Sequence, residues 1–226
     1  MEQIAQIFTA ENILFMLNGA KISIIVAVSC LICGTILGTI TASFKISKNK
    51  VLSGLASIYV DIIRGTPMLL QLSFFYLGFP MLYQMITGKY LSVDPLMMGI
   101  IAISINSGAY VSELIRGAIN SIDKGQWEAG KSLGLTEKQT LKKIILPQSF
   151  KRIVPPLANE FIVLIKDSSL VSTIGVYDLM KTSNIIGTQY YNYFYPMIAA
   201  AIIYFILTVL ISQVTTRIEK RMALSD

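Results

Sequence analysis

The chain has 226 residues, of which 54% are hydrophobic and only 14% charged, against about 25% charged in an ordinary soluble domain. That composition defines a membrane protein, and its net charge of +6, from 19 Lys and Arg against 13 Asp and Glu, has to be read from where the cations fall. With no histidine and two cysteines, histidine catalysis and a four-ligand zinc site within one chain are excluded, and no metal site is expected.

In chain order, Met1 to Ala20 has no cationic start, and its first positive charge is Lys21, so it does not read as a cleaved signal peptide. An interfacial amphipathic stretch is expected around Ile4 to Leu17, followed by a first uncharged span from Ile22 to Phe44, since about twenty apolar residues cross the hydrocarbon core. Gly34-x-x-x-Gly38 on that span is a close-packing motif, with a partner expected in this chain rather than in a second subunit. Cys30 and Cys33 have redox spacing, but without a basic neighbour to hold a thiolate they read as small buried packing residues.

After the basic connection Lys45, Lys48 and Lys50, a second apolar run extends from Val51 to about Tyr83. It is interrupted by Asp61, Arg64 and Gly65-Thr66-Pro67. Arg64 falls about 20 Å along a helix starting at Val51, inside the membrane, and Pro67 should break the helix there. Asp61 and Arg64 are spaced to pair on one face, as a structural pair or a substrate contact. The stretch Gly78 to Asp94, with Lys89, is an exposed connection, and Pro95 to Ser112 is a third span ending at Glu113 and Arg116. Asn106, Tyr110 and Glu113 share one face of it, which suits packing and a pathway lining equally.

The longest hydrophilic interruption follows, Asp123 to Pro147. Asp123 with Gln126 has the form of a capping box, Gly134 is a left-handed terminator, and Thr136 with Gln139 repeats the box. The segment therefore reads as a short helix, a tight turn and a second helix towards Pro147. Gly125-x-x-x-x-Gly130-Lys131-Ser132 also satisfies the P-loop pattern. A phosphate cradle needs a buried strand ahead of it, whereas Gln, Trp, Glu and Ala at the variable positions are helix residues, and Glu128 would face the phosphate. The nucleotide reading is rejected.

Lys142, Lys143, Lys151 and Arg152 keep the chain at the surface until Pro155-Pro156. Leu157 to Ile165 is a short fourth span whose Asn159 and Glu160 face protein or water. Lys166-Asp167-Ser168-Ser169 ends it, and Glu160, Lys166 and Asp167 offer both signs of charge to a zwitterion. The aromatic stretch Tyr177 to Tyr195 leads to a fifth span, Pro196 to Thr216, with Tyr190, Tyr191, Tyr193 and Tyr195 at its interface. Cations concentrate at Lys45 to Lys50, Arg116 to Arg152 and Arg217 to Arg221. The positive-inside rule places these on the cytoplasmic side. The expected fold is an all-α membrane protein of five transmembrane helices, N-terminus outside and C-terminus cytoplasmic, forming one domain over 1–226 with a cytoplasmic helix between spans three and four.

Glu128-Ala129-Gly130, Gly134 and Ile144-x-Leu146-Pro147 resemble the EAA loop of the membrane subunits of binding-protein-dependent ABC importers. Gly130 stands where that pattern has a second alanine, which should loosen the helix slightly. Arg64-Gly65-Thr66-Pro67, Asn106-Ser107-Gly108-Ala109-Tyr110, Lys124-Gly125-Gln126-Trp127-Glu128-Ala129 and Lys166-Asp167-Ser168-Ser169-Leu170 extend the resemblance, from Asn18 to Arg221, to the polar amino-acid branch of these permeases. The resemblance implies a second permease subunit, a pair of ATP-binding subunits, an extracytoplasmic substrate-binding protein, an amino-acid substrate and a place in the bacterial cell membrane. It implies that Trp127, Glu128, Ala129, Lys131, Leu133, Gly134 and Leu135 couple to the ATPase. Arg64, Thr66, Asn106, Tyr110, Glu113, Glu160, Lys166 and Asp167 are the candidates for the substrate path. The chain itself is expected to hold no cofactor and to catalyse no reaction, ATP and magnesium being used by the partner ATPase. An ion-gradient-driven transporter or channel is the main alternative, given the break at Pro67, and a membrane-bound enzyme ranks last.

Overall fold

The structure, a computed structural model, describes residues 6–223, with side chains as far as Arg217. Ile4 and the side chain of Arg221, both used above, lie outside the described residues. Among the described residues the fold is helical, without strands.

The first helix, α1 (Ala10–Ile46), is 37 residues long and capped by Thr9, whose hydroxyl accepts from the Asn12 N–H. It runs unbroken through Leu17 and Lys21, so the expected interfacial stretch from Ala10 onward and the first span are one helix, while Phe8 and Thr9, which are not helical, separate it from the residues before them. Tertiary packing carries it across: at Gly19 a Cβ would lie 2.6 Å from Thr182 Oγ1 and 2.7 Å from the Asp178 carbonyl. Further along, a Cβ at Gly34 or Gly38 would come within 2.7 Å of Ser107 Oγ or Val111 Cβ. The Gly34-x-x-x-Gly38 motif thus seats α1 against its own chain, on α5 (Pro95–Asn120). Cys30 is buried in the same seam, whereas Cys33 is exposed, contrary to the expectation that both are buried.

The second apolar run is broken as expected. α2 (Lys50–Arg64) ends at Gly65, and Pro67 caps α3 (Met68–Ser73), which continues through a π-helical turn, Phe74–Gly78, into α4 (Phe79–Thr87). The connection therefore begins near Gly88 rather than at Gly78, because the helix continues from the π turn through Pro80 to Thr87.

Beyond α5 come α6 (Lys124–Ser132), α7 (Glu137–Thr140), a π turn over Leu141–Ile145, and α8 (Leu146–Asp167). Here the structure differs from the sequence reading, because the chain does not pause at Pro147 or at Pro155-Pro156 but remains one helix to Asp167. Pro147 comes just after the π turn, so its missing N–H falls where the hydrogen-bond ladder changes register. A 3₁₀ segment, Ser168–Ile174, leads to α9 (Leu179–Gln189) and α10 (Phe194–Ala223).

Among the described residues, four stretches are long and apolar enough to cross a membrane: α1, the run Met68–Thr87, α5 and Phe194–Arg217. α8 has the length, but Gln148, Lys151, Arg152, Asn159 and Glu160 lower its apolar content. The main core joins Val26 and Cys30 of α1, Leu72, Ala102 and Ile103, and Leu164 and Ile165 of α8.

The hairpin of α6 and α7 is tied down by a separate cluster in which Ile119, Ile122 and Ile145 are buried and Trp127, Ile115, Leu141 and Ile144 pack around them. Its turn is a Schellman motif: the N–H of Leu135 donates to the Gly130 carbonyl at 3.0 Å and that of Gly134 to Lys131 at 2.9 Å. Gly134 has φ +72°, which an L side chain enters only with strain. The capping box at Thr136 and Gln139 is complete. At Asp123 only half forms, since its carboxylate accepts from the Gly125 N–H at 2.7 Å while Gln126 turns to Gln148. Outside this hairpin's core, Lys48 from the α1–α2 connection pairs with Glu137, and that hydrogen bond and charge hold the Glu137 carboxyl below its usual range.

Gly130 does more than loosen the helix slightly, the effect that its sequence position suggested. It is buried, and an added Cβ would lie 2.5 Å from Thr140 Cγ2 and 2.6 Å from its Oγ1, so the threonine fills the space that an alanine methyl would occupy. Gly130→Ala gains helix propensity of about 1 kcal/mol and incurs overpacking of about 1–3 kcal/mol. The thermal midpoint is expected to fall, and to recover in Gly130→Ala/Thr140→Ala. An unchanged midpoint in the single variant would contradict the packing.

Candidate functional site: a polar cleft between the broken helix, α5 and α8

The break at Gly65-Thr66-Pro67 faces α5 and the amphipathic α8, and a cleft of about 440 Å³ opens between them. That is within the 300–1,000 Å³ usual for small-molecule sites. Thr66 and Met68 line it from the break, Asn106, Tyr110 and Leu114 from α5, and Pro156, Asn159, Glu160, Val163 and Asp167 from α8. Glu160 accepts a hydrogen bond from Ser107 Oγ at 2.8 Å. The Asn106 amide donates to Gln71 Oε1 at 3.0 Å. The cleft therefore has two carboxylates and the amides of Asn106 and Asn159 on apolar walls, a surface that can hold a small polar molecule by its charged groups.

Of the eight residues proposed from sequence for a path, five share this cleft: Thr66, Asn106, Tyr110, Glu160 and Asp167. Arg64 stands behind it, its guanidinium 5.2 Å from the centre of the Tyr110 ring. It does not pair with Asp61, its sequence neighbour, but reaches Glu113 at 3.8 Å. Glu113 also accepts from Lys45 Nζ at 2.6 Å and from Arg116 Nη2 at 2.6 Å, so it gathers cations from α1, α2 and α5. Lys166 points elsewhere, into a separate pocket with Ser169, Met180 and Tyr204. Sequence reasoning missed Gln71, Ser107 and Lys45. An amide placed four residues after Pro67 in an oily run was the available signal for Gln71.

In the hairpin, Glu128, Ala129, Lys131, Leu133 and Gly134 are exposed, Leu133 to 76%. Trp127 packs inward on the isoleucine cluster and Leu135 is half-buried. The P-loop pattern lies inside helix α6, where the Gly125 N–H goes to the Asp123 carboxylate and that of Gln126 to the Asp123 carbonyl, so the loop of converging amides that a phosphate needs is not present. Among the described residues no group of three His, Cys, Asp or Glu stands together to hold a metal.

A helical chain with several membrane-length segments, a polar cleft between them and a helical hairpin projecting between two cleft-lining helices defines a membrane transport component. The family model described as binding-protein-dependent transport system inner membrane component matches residues 34–224, and the chain belongs to that family. It is similar to the putative glutamine transport system permease protein of Rickettsia bellii, 44% identical over 216 residues and 96% of each chain. It is 38% identical to the arginine transport system permease protein of Bacillus subtilis, over 96% of this chain and 97% of that one. Among solved structures, an amino acid ABC transporter crystallised with histidines has a TM-score of 0.85 at 38% identity, covering 92% of this chain and 94% of that one. The inward-facing MetNI methionine ABC transporter has a TM-score of 0.75 at 19% identity, covering 95% and 99%, a likeness of fold alone.

Proposed function

We propose that this chain is the permease subunit of an ATP-driven amino-acid import system, in which residues 1–226 form one permease domain and 123–147 couple it to a separate ATPase. One observation carries the reading: the hairpin continues directly into α5 on one side and α8 on the other, and both helices line the polar cleft. The isoleucine cluster makes hairpin and helix ends one packed unit, so a pull on the hairpin moves cleft walls. Glu128, Ala129, Lys131, Leu133 and Gly134 form the outward contact, with Trp127 and Leu135 anchoring it from within.

In this reading α8 is the fourth of five spans, its polar face turned from lipid to the cleft, with the N-terminus outside and the hairpin in the cytoplasm of a bacterial cell. Two permease subunits, as a homo- or heterodimer, combine with an ATPase pair that uses ATP and magnesium and with an extracytoplasmic binding protein. The cleft alternates between inward-facing and outward-facing access. Names of the relatives, which include glutamine, arginine and cystine permeases, support an amino acid as substrate. Thr66, Asn106, Tyr110, Glu160 and Asp167 contact it, and Arg64 and Glu113 stand behind them.

Proteoliposomes containing this chain, its ATPase and its binding protein should take up radiolabelled amino acid only when ATP is present on the ATPase side. Uptake driven by an ion gradient without the ATPase would establish a secondary transporter instead.

A further inference from the structure

Proline has no N–H, so Pro67 leaves the carbonyl of Ile63, four residues back, without its helical donor. Gln71 supplies one. Its Nε2 donates to the Ile63 carbonyl at 2.7 Å and lies 3.1 Å from the Thr66 carbonyl and 2.8 Å from Thr66 Oγ1. Three oxygens around one NH2 settle which end of the amide is nitrogen, since carbonyls only accept. Gln71 Oε1 must then face the other way, where it accepts from Asn106 Nδ2 at 3.0 Å. Gln71 is buried, 7% exposed as a residue, so packing holds it in place.

We propose that Gln71 is a positioning residue for the cleft: pinned by the oxygens at the helix break, it fixes the Asn106 amide nitrogen on its own side so that Asn106 offers its oxygen to bound substrate. The inference rests on the cleft being the amino-acid site. Asn106 then acts alongside the Glu160 and Asp167 carboxylates as an acceptor, and the group it receives is a donor such as the substrate's ammonium. Gln71 touches no substrate itself and acts through Asn106.

The test is equilibrium binding of radiolabelled arginine, glutamine and cystine to the purified permease–ATPase complex in nanodiscs, without binding protein, using whichever of the three the parent binds. Asn106→Ala is expected to weaken binding about fivefold or more, and Gln71→Leu comparably. Residues that act through one another are non-additive, so the double variant should bind no worse than Asn106→Ala alone. Gln71→Met, of similar length, carries the same test if the leucine variant does not assemble. Gln71→Glu, held protonated against those oxygens, keeps the oxygen that orders Asn106 but only one donor to the break. It is expected to bind within about twofold of the parent while its thermal midpoint falls, a split that a purely structural role would not produce. Parental binding by Gln71→Leu, or additive losses in the double variant, would overturn the positioning role and leave the cleft assignment standing. Undiminished binding in Asn106→Ala, or none by the parent to any of the three, would overturn the cleft assignment and this inference together.

Discussion

Gly134→Asp is expected to leave the permease folded, inserted and assembled while ATP-dependent uptake falls about tenfold or more, the scale of an ordinary coupling free energy. Nothing lies within 4 Å of a Cβ built at this glycine, so the added carboxylate meets open space rather than the protein's own core. Its local cost is the left-handed backbone at φ +72°, about 1–2 kcal/mol. Aspartate is among the residues that tolerate that region best. What changes is the outer surface of the turn between α6 and α7, beside exposed Leu133. Uptake in proteoliposomes should drop while ATP hydrolysis by the complex continues without stimulation by substrate. Normal stimulated hydrolysis and uptake would show that the hairpin is not the coupling element.

Glu113→Leu is expected to cost more stability than any other single change near the cleft. The carboxylate holds Lys45 and Arg116 at 2.6 Å each and Arg64 at 3.8 Å, and it is itself only 17% exposed. Its removal leaves three cations facing one another with no anion among them. Breaking a fully buried pair costs about 3–5 kcal/mol. Arg64 and Arg116 are each more than 40% exposed and can rehydrate, which brings the figure down to about 2 kcal/mol. For a chain of this size that is a fall in thermal midpoint of about 5 °C. Arg64→Ala should lower it much less, because its contact is longer and wetter. Equal losses for the two variants would mean that the carboxylate is not the hub.

The elements that were legible in the sequence are those written in local chemistry. Pro67 broke its helix where the backbone rule requires, Gly134 took the left-handed turn, and Thr136 with Gln139 formed the capping box. Of Asn106, Tyr110 and Glu113, which helical spacing puts on one face, the first two line the cleft and Glu113 gathers cations beside it. What could not be read depended on partners distant in sequence. Arg64 pairs with Glu113 rather than Asp61 three residues away, a choice made by the approach of α5 to α2. Gly130 looks like a weakened alanine until Thr140 is seen occupying its Cβ position. Continuity of α8 through Pro155 and Pro156 was hidden because hydropathy reports lipid, while this helix turns a polar face to its neighbours. Lys166 and Asp167 are adjacent in the chain, and helical geometry sends them to different pockets.

The first helix has 37 residues, about 55 Å at 1.5 Å each, and the oily layer of a bilayer is about 30 Å deep. Even an inclination of 40°, the upper end for such helices, accommodates only about 39 Å of it. Roughly ten residues must overhang into the headgroups or water as a stiff mast rather than a loop. The mast is tethered near both ends, by Lys45 to Glu113 and by Asn12 to the Ile7 carbonyl and Tyr190. Held at both tethers and seated on α5 between them, the rod keeps the two anchor points about 50 Å apart.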